Sequence, residues 1–251
     1  MDSGFYAAVT GLMSRVDALD LLANNLANVS TTGYKAQNEF FQALTAASNP
    51  GLSPLNQAVN DYGIVGGTET DLRAGSIERT GNPLDIALEG SGFLTVQTAS
   101  GISYTRSGNL HLSPDGVLLT ADGDKVLGVP PNPKADPVPI TIPPGPVSIS
   151  ADGTISSQGA VVAQLNLVDF PHGTALTAQG SSYFQAPKGS AQPATNLTVR
   201  QGSLEGSNYN PVQGTVDLIA IQRHAELLDK AISTFNSDFD QAAASDLPRV
   251  T

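Results

Sequence analysis

The sequence predicts an α+β protein: terminal α-helices pairing as a coiled-coil-like helical domain, a central, mainly antiparallel all-β domain, and an extended arm. Near each end, apolar residues recur at alternating spacings of three and four, which is typical of helices that pair along a narrow seam. Between Gly75 and Gln201 the apolar period is two, and Asp-Gly pairs recur between short apolar runs, as in antiparallel hairpins.

The first helix is predicted from Phe5 to about Leu26. It should end among the asparagines of Ala23–Asn28, because asparagine tolerates the left-handed conformation of a helix C-terminal cap. Gly11 costs the helix about 1 kcal/mol relative to alanine, which is either a tolerated cost or a sign that another helix approaches closely. A seam this narrow needs a partner helix. Its members are Phe5, Val9, Leu12, Val16, Leu19, Ala23 and Leu26.

A second seam near the other end of the chain is the best partner. An isolated helix of this length is marginal in water, so we expect the two seams to pair with each other, and they are also available to neighbouring molecules. Asn210 or Gln213 is a candidate cap for this helix, with Pro211 in its first turn. The seam consists of Leu218, Ile221, Ala225, Leu228, Ile232, Phe235, Phe239 and Ala242.

The domain prediction follows these patterns. Residues 1–35 with 211–251 form a discontinuous helical domain, and residues 80–210 form the all-β domain. Residues 36–79 are weakly patterned, and we interpret them as an extended arm or linker, with a β-hairpin as one form it takes. Within this stretch, Asn38–Ala47 is a candidate short helix, because Phe40, Phe41 and Leu44 share one helical face.

The all-β prediction depends on short strands separated by turn residues. Ser76–Arg79, Leu84–Leu88, Val117–Thr120 and Lys125–Gly128 alternate or are bounded by Gly, Pro and Asp-Gly turns. The Pro-rich stretch 130–146 must lie at an edge or in a surface loop, since proline donates no hydrogen bond to a ladder. Within and just after it, Ile140–Ile142 and Val147–Ile149 are candidate strands.

Composition excludes several classes of function. The formal net charge of −11 argues against nucleic acid and acidic lipid as partners. The chain has no cysteine, so disulfides and thiolate metal sites are excluded. The N-terminus lacks the pattern of a cleaved signal peptide, and no apolar run is long enough to span a bilayer, so we expect no membrane insertion.

No catalytic arrangement is predicted. His111, His172 and His224 lie in unrelated segments, so they do not make a zinc site. Asp122-Gly123-Asp124 fits a hairpin turn better than a calcium loop. Asp85 and Glu89 are a candidate acid-base pair, because alternation places them on one face of a strand, but exposed acids on a strand are common in a chain this acidic. We therefore expect no enzymatic activity, no small-molecule substrate, and no metal or other cofactor.

Four motifs, in order and from end to end, resemble the signatures of bacterial flagellar basal-body rod and hook proteins. The N-terminal string from Ala23 to Lys35 next to a terminal heptad helix is the most specific of them. Their residues are Asn24, Asn25, Leu26, Ala27, Asn28, Thr32, Gly33, Tyr34 and Lys35; Gly81, Asn82, Pro83, Leu84, Asp85, Gly90, Gly92 and Phe93; Tyr104, Thr105, Arg106 and Gly108; and Leu204, Glu205, Ser207 and Asn208.

The resemblance implies a structural axial subunit that associates with itself and with other rod and hook proteins through its terminal helices and transmits torque. It also implies export by the flagellar type III apparatus and a place in the periplasmic part of the basal body. Met1-Asp2 and Phe5-Tyr6-Ala7 resemble the F-type proximal rod proteins. One alternative is a distal rod or hook protein of the same family, because Thr10-Gly11-Leu12 resembles the string that distal rod proteins have at this point. The other is an extracellular carbohydrate-binding or hydrolytic β-domain.

Overall fold

The computed structural model describes residues 2–42, 64–130, 136–171 and 173–246. Two long helices, α1 (Asp2–Ala27) and α2 (Pro211–Asp246), lie at the two ends of the chain, and short strands lie between them. Neither helix has an apolar stretch of the length needed to cross a bilayer. The described part of the chain is therefore α+β, as the sequence predicts. The candidate His172 lies outside the described residues.

The strands are β1 (Gln37–Gln42), β2 (Ile64–Thr70), β3 (Ile77–Arg79), β4 (Ile86–Gly90), β5 (Phe93–Thr98), β6 (Gly101–Thr105), β7 (Leu110–Leu112), β8 (Leu118–Thr120), β9 (Lys125–Gly128), β10 (Val138–Pro139), β11 (Val147–Ile149), β12 (Thr154–Ser157), β13 (Ala160–Gln164), β14 (Leu167–Asp169), β15 (Thr177–Gln179), β16 (Tyr183–Gln185), β17 (Gln192–Pro193), β18 (Leu197–Gln201) and β19 (Ser203–Glu205).

The chain forms two compact units. The helical unit contains the described residues of 1–27, 37–69 and 210–251, and the β-unit contains residues 28–36 and the described residues of 70–209. The domain boundaries given above from the sequence, with a separate arm over residues 36–79, stay a prediction.

Within the helical unit, α1 and α2 pack against each other. β1 and β2 form a two-stranded sheet. The prediction of a short helix over Asn38–Ala47 is wrong for residues 38–42, because they belong to strand β1. Its remaining residues, 43–47, lie outside the described part. The apolar spacing alone did not reveal the pairing with β2, which is distant in sequence and decides in favour of a strand.

Asn210 caps α2, as expected. Its side-chain oxygen accepts hydrogen bonds from the backbone N–H groups of Val212 at 3.0 Å and Gln213 at 3.3 Å, and Pro211 is the first helical residue. These bonds satisfy two of the amides that a helix N-terminus otherwise leaves unpaired.

The β-unit contains a large sheet with the order β15-β16-β6-β5-β9-β8-β7, on which β10, β14 and β17 are side branches. A three-stranded sheet, β11-β12-β13, and two pairs, β18-β4 and β19-β3, complete it. Every strand pair whose register is described here is antiparallel, as in β5-β6, β18-β4 and β19-β3. β3 and β4, from the start of the unit, thus pair with β19 and β18 from its end.

The turns of the β-unit use glycine where the sequence predicts hairpins. Gly116, Gly123 and Gly153 each follow an aspartate and have φ between +78° and +88°, a conformation that costs glycine little. Within the Pro-rich stretch, β10 is a short edge strand on β9, and Ile140 and Ile142 are buried in the core. The strand expected at Val147–Ile149 is confirmed as β11.

One apolar core lies between the sheets of the β-unit. Its members are almost inaccessible to solvent, as in a closely packed protein interior. They are Ile86, Leu88, Leu94, Val96, Leu110, Leu118, Val126, Ile140, Ile142, Ile149, Ile155, Leu165 and Val199. A smaller cluster contains Phe93, Val168 and Phe184, with Phe93 and Phe184 edge to face at 5.5 Å between ring centroids.

Candidate functional site

Gly11 of α1 faces Leu228 of α2. A Cβ added at Gly11 would lie 3.5 Å from a methyl group of Leu228, which is an ordinary van der Waals contact, so the helix spacing does not require glycine here and a tolerated cost explains Gly11 better than a close helix approach. Ala18 and Gly214 are buried. The predicted seams did not include these two residues, although they included other small residues such as Ala23 and Ala225.

The predicted seam residues are mostly half-buried within one chain. Those in this class are Val9, Leu12, Leu19, Leu26, Leu218, Ile221, Ala225, Leu228 and Ile232. Ala23 is exposed, and the side chains of Val16 and Phe235 are 47% and 44% exposed. The side chains of Phe5, Phe239 and Ala242 lie outside those that the structure describes. The helix pair thus leaves apolar surface open to solvent.

A second apolar stripe on α2 is exposed to solvent. Val212 is 74% exposed, Val216 56%, Ile219 47% and Leu227 64%. Leu227 lies nine residues after Leu218, about two and a half turns at 3.6 residues per turn, so the stripe is on the side opposite the seam. Large apolar side chains gathered on one exposed face are typical of an interaction surface.

Asn25, from the N-terminal motif, joins α1 to β1. Its side-chain amide donates to the carbonyl of Gln37 at 2.8 Å and its side-chain oxygen accepts from the Gln37 N–H at 2.9 Å. This pair of bonds imitates a neighbouring strand, and Asn25 is only 1% exposed. An asparagine is needed here, because it offers a donor and an acceptor on one planar group.

Three motifs meet in the β-unit at a buried charge cluster that consists of Lys35, Arg106 and Glu205. Lys35 Nζ lies 2.6 Å from Glu205 Oε1, and Arg106 Nη1 lies 3.1 Å from Glu205 Oε2. The side chains of Lys35 and Glu205 are 0% exposed and that of Arg106 is 4% exposed. The sequence indicated each residue as part of a motif but gave no sign that they pair across 170 and 99 positions.

Backbone groups complete the bonding of the cluster. Lys35 Nζ donates to the carbonyl of Arg73 at 2.7 Å, and Arg106 donates to the carbonyls of Leu88 and Gly90. Its guanidinium also lies over the ring of Phe93, 5.4 Å from the centroid. All of these contacts lie within the β-unit, so they give Arg106 a structural role there.

Burial lowers the pKa of Lys35, and the hydrogen bond and charge of Glu205 partly oppose this shift. Burial raises the pKa of the neighbouring Tyr34 to about 12, with a smaller contribution from Tyr209. These shifts follow from packing among charged and aromatic groups that water does not reach.

The segments that surround the cluster are tied together by Asn208. Its side-chain oxygen accepts from the Ala36 N–H at 2.8 Å, and its amide donates to the Asp71 carbonyl at 2.7 Å. Gly33 has φ +69°, and a Cβ there would overlap the backbone of Arg106 and Ser107. The motif therefore requires glycine at this position.

The second motif forms a turn before β4. Asp85 is 5% exposed, and its carboxylate accepts from Thr80 Oγ1 at 2.6 Å and from Asn82 Nδ2 at 2.9 Å. Glu89, the other member of the candidate acid-base pair, forms a partly exposed ion pair with Arg200. These contacts give both carboxylates structural partners.

Two of the three candidate histidines, His111 and His224, lie in the described part of the chain. His111 lies in β7 and His224 in α2, and both are exposed. Among the described residues, no group of three or more His, Asp or Glu side chains is arranged to hold a metal ion.

Three family models of flagellar proteins match the chain. The flagella basal body rod protein model matches residues 5–35, the flagellar hook protein FlgE/F/G D1 domain model matches 87–163, and the flagellar basal body rod FlgEFG protein C-terminal model matches 200–245. The class is therefore that of flagellar rod and hook proteins, which are structural rather than enzymatic.

Full-length relatives narrow the class. The flagellar basal-body rod protein FlgF of Caulobacter vibrioides is 33% identical over 100% of both chains. FlgF of Salmonella typhimurium is 33% identical over 96% of this chain and 97% of that relative. FlgG of Agrobacterium fabrum is 32% identical over 90% of this chain and 93% of that relative. The chain belongs to the flagellar basal-body rod protein family, among its F-type members, and is a structural subunit of the rod.

Proposed function

We propose that α1 and α2 pair along their seams in the manner of a coiled coil and join neighbouring subunits of the rod through the apolar surface that remains. The observation that carries this proposal is the stripe of Val212, Val216, Ile219 and Leu227 on the side of α2 opposite the seam. The neighbours are further copies of this chain and other axial rod and hook proteins.

The assembly gains free energy chiefly from burial of these side chains, at roughly 25 cal/mol per Å² of apolar surface. A contact between two different faces does not close on itself, so repeated copies extend as a helical rod. Torque then passes through many such contacts rather than through one hinge. The charge cluster and Asn25 fix the backbone next to the helices.

The family resemblance supports the finer parts of the proposal. The subunit lies in the proximal rod, in the periplasmic part of the basal body, and leaves the cytoplasm through the flagellar type III export apparatus without a cleaved signal peptide. Residues 36–79 act as an extended arm. Because FlgG proteins are also similar over most of the chain, a distal rod or hook subunit is the second candidate. Labelling the protein in purified basal bodies distinguishes the two positions.

Leu227→Asp tests the exposed stripe. Leu227 is 64% exposed, so the change leaves the subunit fold intact and places a carboxylate where a neighbour packs. We expect loss of motility and at least tenfold less protein in purified basal bodies, with an unchanged circular dichroism spectrum of the free subunit.

Gln222→Asp is the matched control, because it places the same charge at another exposed position of α2, off the stripe. We expect this variant to assemble like the original chain. Normal rods from Leu227→Asp cells would refute the stripe as a subunit contact.

A further inference from the structure

Glu205 is the residue through which the charge cluster is connected. It lies at the end of β19, and its carboxylate accepts hydrogen bonds from Lys35 Nζ at 2.6 Å, from the Gly75 N–H at 2.9 Å and from Arg106 Nη1 at 3.1 Å. Its backbone carbonyl accepts from the Gly33 N–H at 2.7 Å. One residue therefore binds three other parts of the chain.

The charges of the cluster are not balanced. Lys35 and Arg106 supply two positive charges and Glu205 supplies one negative charge, and all three side chains are almost fully buried. Loss of Glu205 would leave two like charges without their shared buried counter-ion, since the Asp71 carboxylate, which also acts on Lys35, is already paired with Arg73. Loss of Lys35 would leave a balanced Arg106–Glu205 pair. Because an unpaired buried charge is costly, the two losses are expected to differ greatly although each breaks the same ion pair.

The segments that Glu205 binds are the ones that continue into the helices. Residues 28–36 follow α1 directly, and residues 206–209 lie between β19 and α2. None of these residues belongs to the apolar core of the β-unit. They are held by hydrogen bonds to one another, such as Asn208 N to Tyr34 O and Gly206 N to Ser76 O, around the cluster.

We propose that the Glu205 carboxylate is a lock that holds residues 28–36 and 203–209 in place together, so that loss of its charge releases both segments while the β-core remains folded. Whether residues 28–36 and 203–209, which continue into the helices, are ordered then depends on one buried carboxylate. The lock is a property of the single subunit and does not rest on the proposed rod contacts.

Hydrogen exchange of the full-length, unassembled chain tests the lock. In Glu205→Gln we expect at least tenfold faster exchange in peptides that cover 28–36, 71–76 and 203–209. Peptides that cover 93–98 and 118–128, which belong to the core strands, should exchange as in the original chain. Glu89→Gln, which breaks the partly exposed pair with Arg200, should change none of these peptides.

Two further variants keep the test decisive if Glu205→Gln is poorly folded. In Lys35→Met, the amides of the three segments should exchange less than threefold faster than in the original chain, because the cluster becomes neutral. Lys35→Met/Glu205→Gln should recover at least part of the protection that Glu205→Gln loses, because one buried cation has been removed. Unchanged exchange in Glu205→Gln, equal acceleration in core and segments, or a Lys35→Met effect as large as that of Glu205→Gln would each overturn the proposal.

Discussion

The two units differ in how completely one chain buries its apolar side chains. In the β-unit, Leu94, Leu118 and Ile155 are 0% exposed. Among the helix side chains that the structure describes, 9–27 and 211–237, Ala18 is the one apolar side chain in the buried class. The β-unit is complete within the subunit, whereas the helix pair retains apolar surface that only another molecule can cover.

The two units also differ in the surroundings of their charged side chains. The charge cluster of the β-unit has its partners inside the chain, and the helices carry their charged side chains in water. Selection for a fold and selection for assembly thus act on different parts of the sequence. Changes of identical chemistry in the two units should therefore have different effects on the free subunit.

The largest expected difference compares Leu118→Ala with Leu228→Ala. Leu118 is 0% exposed within the β-core, so its truncation should lower the free energy of unfolding by about 2–5 kcal/mol. Leu228 is half-buried against Gly11, so the same truncation should cost the free subunit less than about 1.5 kcal/mol. Denaturant titration of the unassembled chain measures both values.

Assembly should reverse this order of effects. Leu228→Ala should reduce incorporation into basal bodies more than Leu118→Ala does, at a temperature where both subunits are folded. Equal losses of stability in the two variants would mean that the helix pair is as fully packed in one chain as the β-core.

A smaller effect is expected for Asn25→Asp in the helical unit. The carboxylate cannot donate to the Gln37 carbonyl and faces its oxygen at a site that is 1% exposed. Leaving that acceptor unpaired and burying a charge should destabilise the packing of β1 on α1 by about 1–3 kcal/mol. Hydrogen exchange of a peptide that begins at Gln37 is the measurement.

Asn38→Asp is the control for this change, because Asn38 is the exposed neighbour of Gln37. It introduces the same charge without removing the two bonds of Asn25. Equal exchange rates in the two variants would show that the Asn25 bonds do not hold β1.

Local chemistry made much of the β-unit predictable from sequence. Lys125–Gly128 is a strand as expected, because Asp122-Gly123 sets the turn before it and alternation sets its face. The start of α2 at Pro211 also follows from its local cap, Asn210, whereas none of the asparagines at the end of α1 has the positive φ that the predicted cap requires. These features need only a few neighbouring residues to be determined.

Features that depend on distant partners were not predictable. β1 is a strand because it pairs with β2, and no local spacing shows this. Lys35 and Glu205 were identified only as motif residues, although their ion pair is the centre of the charge cluster.

The smallest expected effect concerns alkaline pH and applies to the β-unit. Burial raises the pKa of Tyr34 to about 12, and it also raises the pKa of Tyr104 and Tyr183. Above pH 10 the unfolded chain loses these protons while the folded chain keeps them, so the unfolded state binds fewer protons and stability falls as pH rises. The contribution of Tyr34 is complete below pH 10 and is lost as the pH approaches 12.

Tyr34→Phe removes one of these titrations and keeps the ring. The variant should therefore lose less stability between pH 10 and pH 11.5 than the original chain, in denaturant titrations at matched ionic strength. An unchanged slope in Tyr34→Phe would mean that the Tyr34 phenol is already hydrated in the folded subunit, and would weaken the contrast between a water-free β-unit and an open helix pair.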